Sequence, residues 1–236
     1  MVIARDMVKK FGSFVANDRL NFEVRKGEIF GFLGANGAGK TTAIRILCGL
    51  SKPTSGQISV GGYDVARQAE KVKKNIGYMS QKFSLYDDLK VRENFHFYGG
   101  IYGMPRKKIR EKTEELLTKL NLQDTGNMIT SSLPLGWKQK IAFSIAIMHD
   151  PGIVFLDEPT SGVDPVTRRQ FWDMIYDAAH EGITVFVTTH YMDEAEYCER
   201  VSIMVDGRIE ALDTPSGLKE QYNADTMEEV FLQIAR

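Results

Sequence analysis

The residues Gly34-Ala35-Asn36-Gly37-Ala38-Gly39-Lys40-Thr41-Thr42 have the types and spacing that hold a polyphosphate. A glycine, four residues, a second glycine, a lysine and a threonine make a loop whose backbone N–H groups can wrap phosphates without Cβ clashes. The positive end of the helix that follows draws in their charge. Lys40 would reach the terminal phosphates, and the Thr41 hydroxyl would join the shell of a Mg²⁺ ion, a hard cation held by oxygens and waters. The apolar run Glu28-Ile29-Phe30-Gly31-Phe32-Leu33 immediately before the loop reads as the strand that presents it.

A second group of chemistry-bearing residues sits far downstream. The apolar run Ile153–Leu156 ends in Asp157-Glu158-Pro159, which places two adjacent carboxylates where a buried parallel strand opens onto a ligand crevice. In isolation a solvated loop explains this pair equally well, but a phosphate loop elsewhere in the chain needs a carboxylate to help hold Mg²⁺, and Asp157 is assigned to the metal. Glu158 points differently and is expected to take the proton of a water attacking the γ-phosphate. Another strand, Thr184–Val187, runs into Thr188-Thr189-His190, so His190 can hydrogen-bond that phosphate, while His96, His149 and His180 read as structural. Gln81, after the run Ile76–Met79, has a neutral amide able to touch Mg²⁺ or the attacking water.

The elements that must position these groups follow from periodicity. Short β-type segments at Val2–Ala4, Leu20–Val24, Gln57–Val60 and Ile76–Met79, separated by turns such as Lys26-Gly27 and Gly61-Gly62, read as an antiparallel edge plus core strands. From about 88 to 150 the pattern is helical, with Val91, Phe95, Tyr98 and Tyr102 on one face, Ile109, Leu116, Leu117 and Leu120 on another, and Ile141, Ile145 and Met148 on a third. Strands then alternate with helices, which implies a parallel sheet. Asp164 before Pro165 is a helix start for a segment reaching about His180, and Asp225 with Glu228 reads as the capping pair of the last helix. The expected fold is α/β: one domain over 1–236, with a core of 1–87 and 151–236, a parallel sheet, an antiparallel β edge and an inserted helical lobe at about 88–150.

Thirty Lys and Arg balance 31 Asp and Glu, for a net charge of −1, which argues against a nucleic-acid partner. The hydrophobic content of 43% can fill a core of this size. The two cysteines, Cys48 and Cys198, lie far apart and read as packing residues of a reducing compartment. No stretch approaches the roughly 18 apolar residues of a membrane span, so the chain is expected to be soluble by itself.

The ordered set of Gly34 to Thr42, Gln81, Gly136-Trp137-Lys138-Gln139-Lys140, Leu156 to Pro165 and His190 resembles an ABC transporter ATP-binding subunit, a P-loop NTPase cassette, over essentially the whole chain. The wording of the P-loop, the 157–165 stretch and the tail looks most like the drug-resistance exporter branch. The resemblance implies ATP and Mg²⁺, with adenine stacked on Phe11. It implies a second ATP-binding subunit, identical or different, meeting this one head to tail, and Ser161-Gly162-Val163-Asp164 as the loop that crosses between them. It further implies a transmembrane permease subunit or domain, contacted by the helical lobe and the loop after Gln81, and a place on the cytoplasmic face of the membrane. One stretch departs. Where the family signature reads Leu-Ser-Gly-Gly-Gln, this chain has Leu133-Pro134-Leu135-Gly136-Trp137. Pro134 lacks the hydroxyl and the N–H that would meet the partner's γ-phosphate, and Leu135 adds bulk where glycine permits close approach. The N-terminus of the next helix, with Lys138 or Lys140 nearby, is expected to keep a weaker contact.

Overall fold

The computed structural model describes residues 2–82 and 84–235. β1 (Val2–Phe11) and β2 (Phe14–Val24) form an antiparallel hairpin, and β3 (Ile29–Gly34) leads through the glycine-rich loop into α1 (Lys40–Leu47). β4 (Ser55–Val60) and β5 (Tyr63–Asp64) complete an antiparallel sheet of order β2-β1-β4-β5, followed by α2 (Ala69–Asn75) and β6 (Ile76–Met79). The helical segment contains α3 (Val91–Ile101), α4 (Arg106–Lys119) and α5 (Leu135–Ile147). The chain then runs through β7 (Ile153–Asp157), α6 (Pro165–His180), β8 (Thr184–Thr189), β9 (Arg200–Val205), β10 (Arg208–Asp213), α7 (Pro215–Gln221) and α8 (Met227–Ile234).

The second sheet has the order β10-β9-β3-β8-β7-β6, parallel throughout except for the β9–β10 hairpin. Every residue of β3, β7 and β8 is buried, because helices cover one face and the antiparallel sheet with α1 covers the other. That is why these strands read as unbroken apolar runs rather than alternating ones. Between the two sheets Phe22, Phe30, Phe32, Phe155 and Phe186 pack with ring centroids 5.3–6.1 Å apart. Each such buried ring contributes about 1.5–3 kcal/mol, which makes the sheet a stiff platform.

The carboxyl ends of four parallel strands reach one edge, and each carries one of the expected groups: Gln81 after β6, Asp157 and Glu158 at β7, His190 after β8, and the glycine-rich loop after β3. The helical segment has its own apolar cluster, including Val91, Phe95, Ile109, Leu117, Ile141 and Ile145. α5 is buried on nearly all sides: Ile141 and Ile145 enter that cluster while Ala142, Phe143 and Ala146 enter the core beneath the parallel sheet. The lobe is thus joined to the core by a shared helix, not only by chain connections.

Several local expectations shift. β1 extends past Ala4 to Phe11, and β9 and β10 are strands that the pattern did not single out. The last helix is capped one residue later than expected: Thr226 Oγ1 accepts the Glu229 N–H at 3.2 Å, and the Glu229 carboxylate accepts the Asp225 N–H at 2.9 Å. Asp164 caps α6, its Oδ1 accepting the Val166 and Thr167 N–H groups at 3.0 Å. Cys48 and Cys198 are both free and buried. Among the described residues no helix is long and apolar enough to cross a membrane.

Candidate functional site

The glycine-rich loop is shaped by contacts that only glycine permits. Gly39 has φ 104°, and a Cβ there would stand 2.4 Å from the Ala16 carbonyl oxygen. Asn17, buried in β2, donates from Nδ2 to the Gly39 carbonyl at 3.2 Å and pins the loop from the side. Ala35, Asn36 and Gly37 form an exposed lip, with Thr41 exposed on the first turn of α1, while Ala38 is buried.

Lys40 is only 4% exposed. Its Nζ donates to the Gly34 and Ala35 carbonyls at 2.8 and 3.1 Å and lies 3.2 Å from Glu158 Oε1. Glu158 Oε2 accepts from Gln81 Nε2 at 3.1 Å and lies 3.1 Å from His190 Nδ1. Lys40 and His190, expected to face a phosphate, and Gln81, expected at Mg²⁺ or the attacking water, therefore converge on one carboxylate, and Lys40 neutralises it. Glu158 itself has φ 48°, a left-handed conformation that costs a non-glycine residue about 1 kcal/mol. Its N–H is held by Thr188 Oγ1 at 3.0 Å. This conformation turns Glu158 away from its neighbour Asp157.

Asp157 Oδ1 accepts from Thr188 Oγ1 at 2.8 Å and from Thr41 Oγ1 at 3.2 Å. Burial raises its pKa above the usual carboxylate range, with the two hydroxyls acting against that rise. A desolvated carboxylate beside a hydroxyl suits a hard divalent cation. Among the described residues no three His, Cys, Asp or Glu side chains gather as a metal cage, so phosphate oxygens and waters would have to complete the shell. Gln81, expected at that ion or at the attacking water, donates to Glu158 Oε2.

Phe11 ends β1 with 55% of its surface exposed, opposite the exposed Phe14, and the Lys9 ammonium lies 5.0 Å from its ring centroid. The altered signature stretch begins with the buried Leu133. Pro134 precedes α5, whose start has no side-chain cap, and the Pro134 carbonyl accepts the Trp137 and Lys138 N–H groups. Leu135 and Trp137 are 46% and 39% exposed. A Cβ on Gly136 would stand 2.6 Å from Thr167 Cγ2, so this glycine already has a packing role between α5 and α6. The two lysines expected near a phosphate are engaged elsewhere, Lys138 with Asp87 at 2.8 Å and Lys140 with Gln170 at 2.7 Å. In the crossing loop the Ser161 N–H donates to the Glu158 carbonyl at 3.2 Å, Gly162 has φ 79°, Val163 is half-buried, and Asp164 is used by its cap.

Sequence reasoning passed over Asn17 and the hydrogen-bonding role of Thr188. For Thr188 a signal existed, a hydroxyl closing an otherwise apolar strand; for Asn17 none did.

A family profile described as ABC transporter matches residues 17–161. The chain is 47% identical over 239 residues to the probable multidrug ABC transporter ATP-binding protein YbhF of Escherichia coli (strain K12), covering 99% of this chain and 41% of that one. It is 34% identical over 228 residues to the linearmycin resistance ATP-binding protein LnrL of Bacillus subtilis (strain 168), covering 96% and 73%. The chain thus spans less than half the length of YbhF. Among solved structures, the dimeric post-hydrolysis state of the ATP-binding cassette MJ0796 bound to ADP and Pi superposes with a TM-score of 0.82 at 26% identity, covering 91% of this chain and 98% of that one.

Proposed function

The chain belongs to the ABC transporter family as an ABC-type ATPase cassette, and we propose that it powers a membrane exporter by closing and opening a cassette dimer with ATP. The observation that carries this reading is the meeting of Lys40, Gln81 and His190 on Glu158 at the edge where the phosphate loop opens. When ATP enters, Lys40 exchanges Glu158 for the terminal phosphates, which frees that carboxylate to accept a proton from the attacking water. Gln81 and His190 lie within hydrogen-bond reach of the same carboxylate and would orient it and the water. Thr41 and Asp157 would hold Mg²⁺, which supplies charge neutralisation on the phosphoryl oxygens. The adenine would stack on the exposed face of Phe11.

The partner cassette would cover this site with its own signature loop, and the loop 161–164 would cross to it. A transmembrane subunit or domain would dock on the helical lobe, and the chain would then lie at the cytoplasmic face of the membrane. Relatives named for multidrug and linearmycin resistance support a drug-like cargo. The test is Mg²⁺-dependent phosphate release by the chain recovered with its membrane partner. Bound ATP without release would leave a nucleotide-gated module, and no bound ATP would end the reading.

A further inference from the structure

Behind the catalytic carboxylate lies a second acid that the hydrolytic reading leaves unused. Glu194 belongs to the short 3-10 segment Met192–Tyr197 after His190 and is fully buried. Its Oε1 accepts the Thr160 hydroxyl at 2.6 Å, with Arg168 Nε at 3.6 Å. Its Oε2 and Arg168 Nε both lack a hydrogen-bond partner. Thr160 is buried and stands two residues beyond Glu158, and Arg168 lies on the first turn of α6, just past the crossing loop.

The other side of this group is folded onto the histidine loop. The Glu194 N–H donates to the Tyr191 carbonyl at 3.2 Å, and the Tyr191 N–H donates to Thr189 Oγ1 at 3.0 Å. The Arg168 guanidinium lies 4.1 Å from the Tyr191 ring centroid, and that ring packs on His190 with centroids 4.2 Å apart. Glu194 therefore joins the segment that carries Glu158, through its carboxylate on Thr160, to the segment that carries His190, through its backbone N–H and through Arg168 beside the carboxylate.

A half-paired buried carboxylate is a poor stabiliser, since an apolar side chain of similar size usually serves a core at least as well. Its value here is geometric. The left-handed backbone of Glu158 persists only while its surroundings over-determine it, and just downstream the chain is held at the Pro159 carbonyl, which accepts from Gln139 Nε2, and by the Thr160 hydroxyl, which donates to Glu194. We propose that Glu194 is a positioning residue for hydrolysis, holding Thr160 and Arg168 so that Glu158 and His190 keep their contact across adjacent strands. The proposal rests on the reading of Glu158 as the base.

The test compares Thr160→Val, Thr160→Ser, Glu194→Met, Glu194→Gln and Glu158→Gln in the assembly that turns over ATP, with kcat, ATP affinity and melting temperature measured for each. Thr160→Val and Glu194→Met are expected to lose about tenfold or more in kcat, because a displaced base is a transition-state defect. ATP affinity should change by less than about twofold, since ground-state contacts remain. Thr160→Ser should recover the rate lost in Thr160→Val, and Glu194→Gln, which keeps an acceptor for Thr160, should lose less than Glu194→Met. Loss of kcat and affinity together with a lowered melting temperature would mean a structural strut and overturn the proposal. So would full kcat in Thr160→Val and Glu194→Met beside an inactive Glu158→Gln, which leaves the base reading intact. Normal turnover in Glu158→Gln would instead overturn the base reading itself. If Glu194→Met does not fold, the Thr160→Val and Thr160→Ser pair decides.

Discussion

At the carboxyl edge of the parallel sheet Glu158 has three polar partners within 3.2 Å, whereas the start of α5 offers a preceding proline without an N–H, an exposed Leu135 and an exposed Trp137. On the proposed reading both regions would face nucleotide, one the chain's own ATP and one its partner's. In the first, charges are paired and the strained Glu158 is fixed on several sides. In the second, Gly136 is accounted for by Thr167, and both nearby lysines are bound to other side chains. On the proposed reading, the difference teaches that this chain would carry its hydrolytic chemistry in its own site and contribute mostly shape to its partner's.

The largest effect should come from Glu158→Gln. If the edge cluster is the hydrolytic centre, phosphate release falls on the order of 10²–10⁴-fold while ATP stays bound, as read by phosphate release and by chromatography of retained nucleotide. Turnover close to the unsubstituted rate would erase the contrast between the regions.

Lys40→Ala should weaken ATP binding by roughly 3 kcal/mol in calorimetry, since a buried charge-assisted contact to phosphate is lost. Unchanged affinity would reduce Lys40 to the counter-ion of Glu158.

Pro134→Ser combined with Leu135→Gly tests the weaker region. Restored donors and space should tighten the closed dimer by about tenfold, a gain of roughly 1.4 kcal/mol, measured by sedimentation with ATP in a Glu158→Gln background. Equal dimer affinity would show that the loop is not limiting.

The smallest effect is on stability. Asp157 has a raised folded-state pKa, so the native state keeps its proton to higher pH than the unfolded chain, and that stability is lost as pH rises through the folded value. Asp157→Asn cannot lose it. Without nucleotide the variant should be more stable near neutral pH, with the difference fading below the unfolded carboxylate pKa of about 4. Thermal melts at two pH values check this, and an equal gap at both would remove Asp157 ionisation as its cause.

Much of this was legible in the chain. β3, β7 and β8 read as strands because burial on both faces leaves no polar alternation, and Asp164 reads as a cap because its bonds reach only two and three residues ahead. β9 and β10 were less visible, since β10 is an edge strand with exposed positions and weaker patterning. The Thr226 cap was missed because Asp225 beside it satisfies the same pattern, and only the path of the backbone selects between them.

The order and types of residues along the chain determined by themselves that a phosphate loop, two acids, an amide and an imidazole would stand at strand ends, because loop wrapping, capping and burial act over a few residues. Which of them meet was decided by the tertiary structure. The order β3-β8-β7-β6 sets the four strand ends side by side, so Lys40, His190 and Gln81 close on Glu158 from positions 32 to 118 residues away, a pairing that no local spacing encodes. Tertiary contacts likewise set Lys138 on Asp87 and Lys140 on Gln170, since an ammonium group is attracted to an oxygen acceptor and repelled by the positive end of a helix.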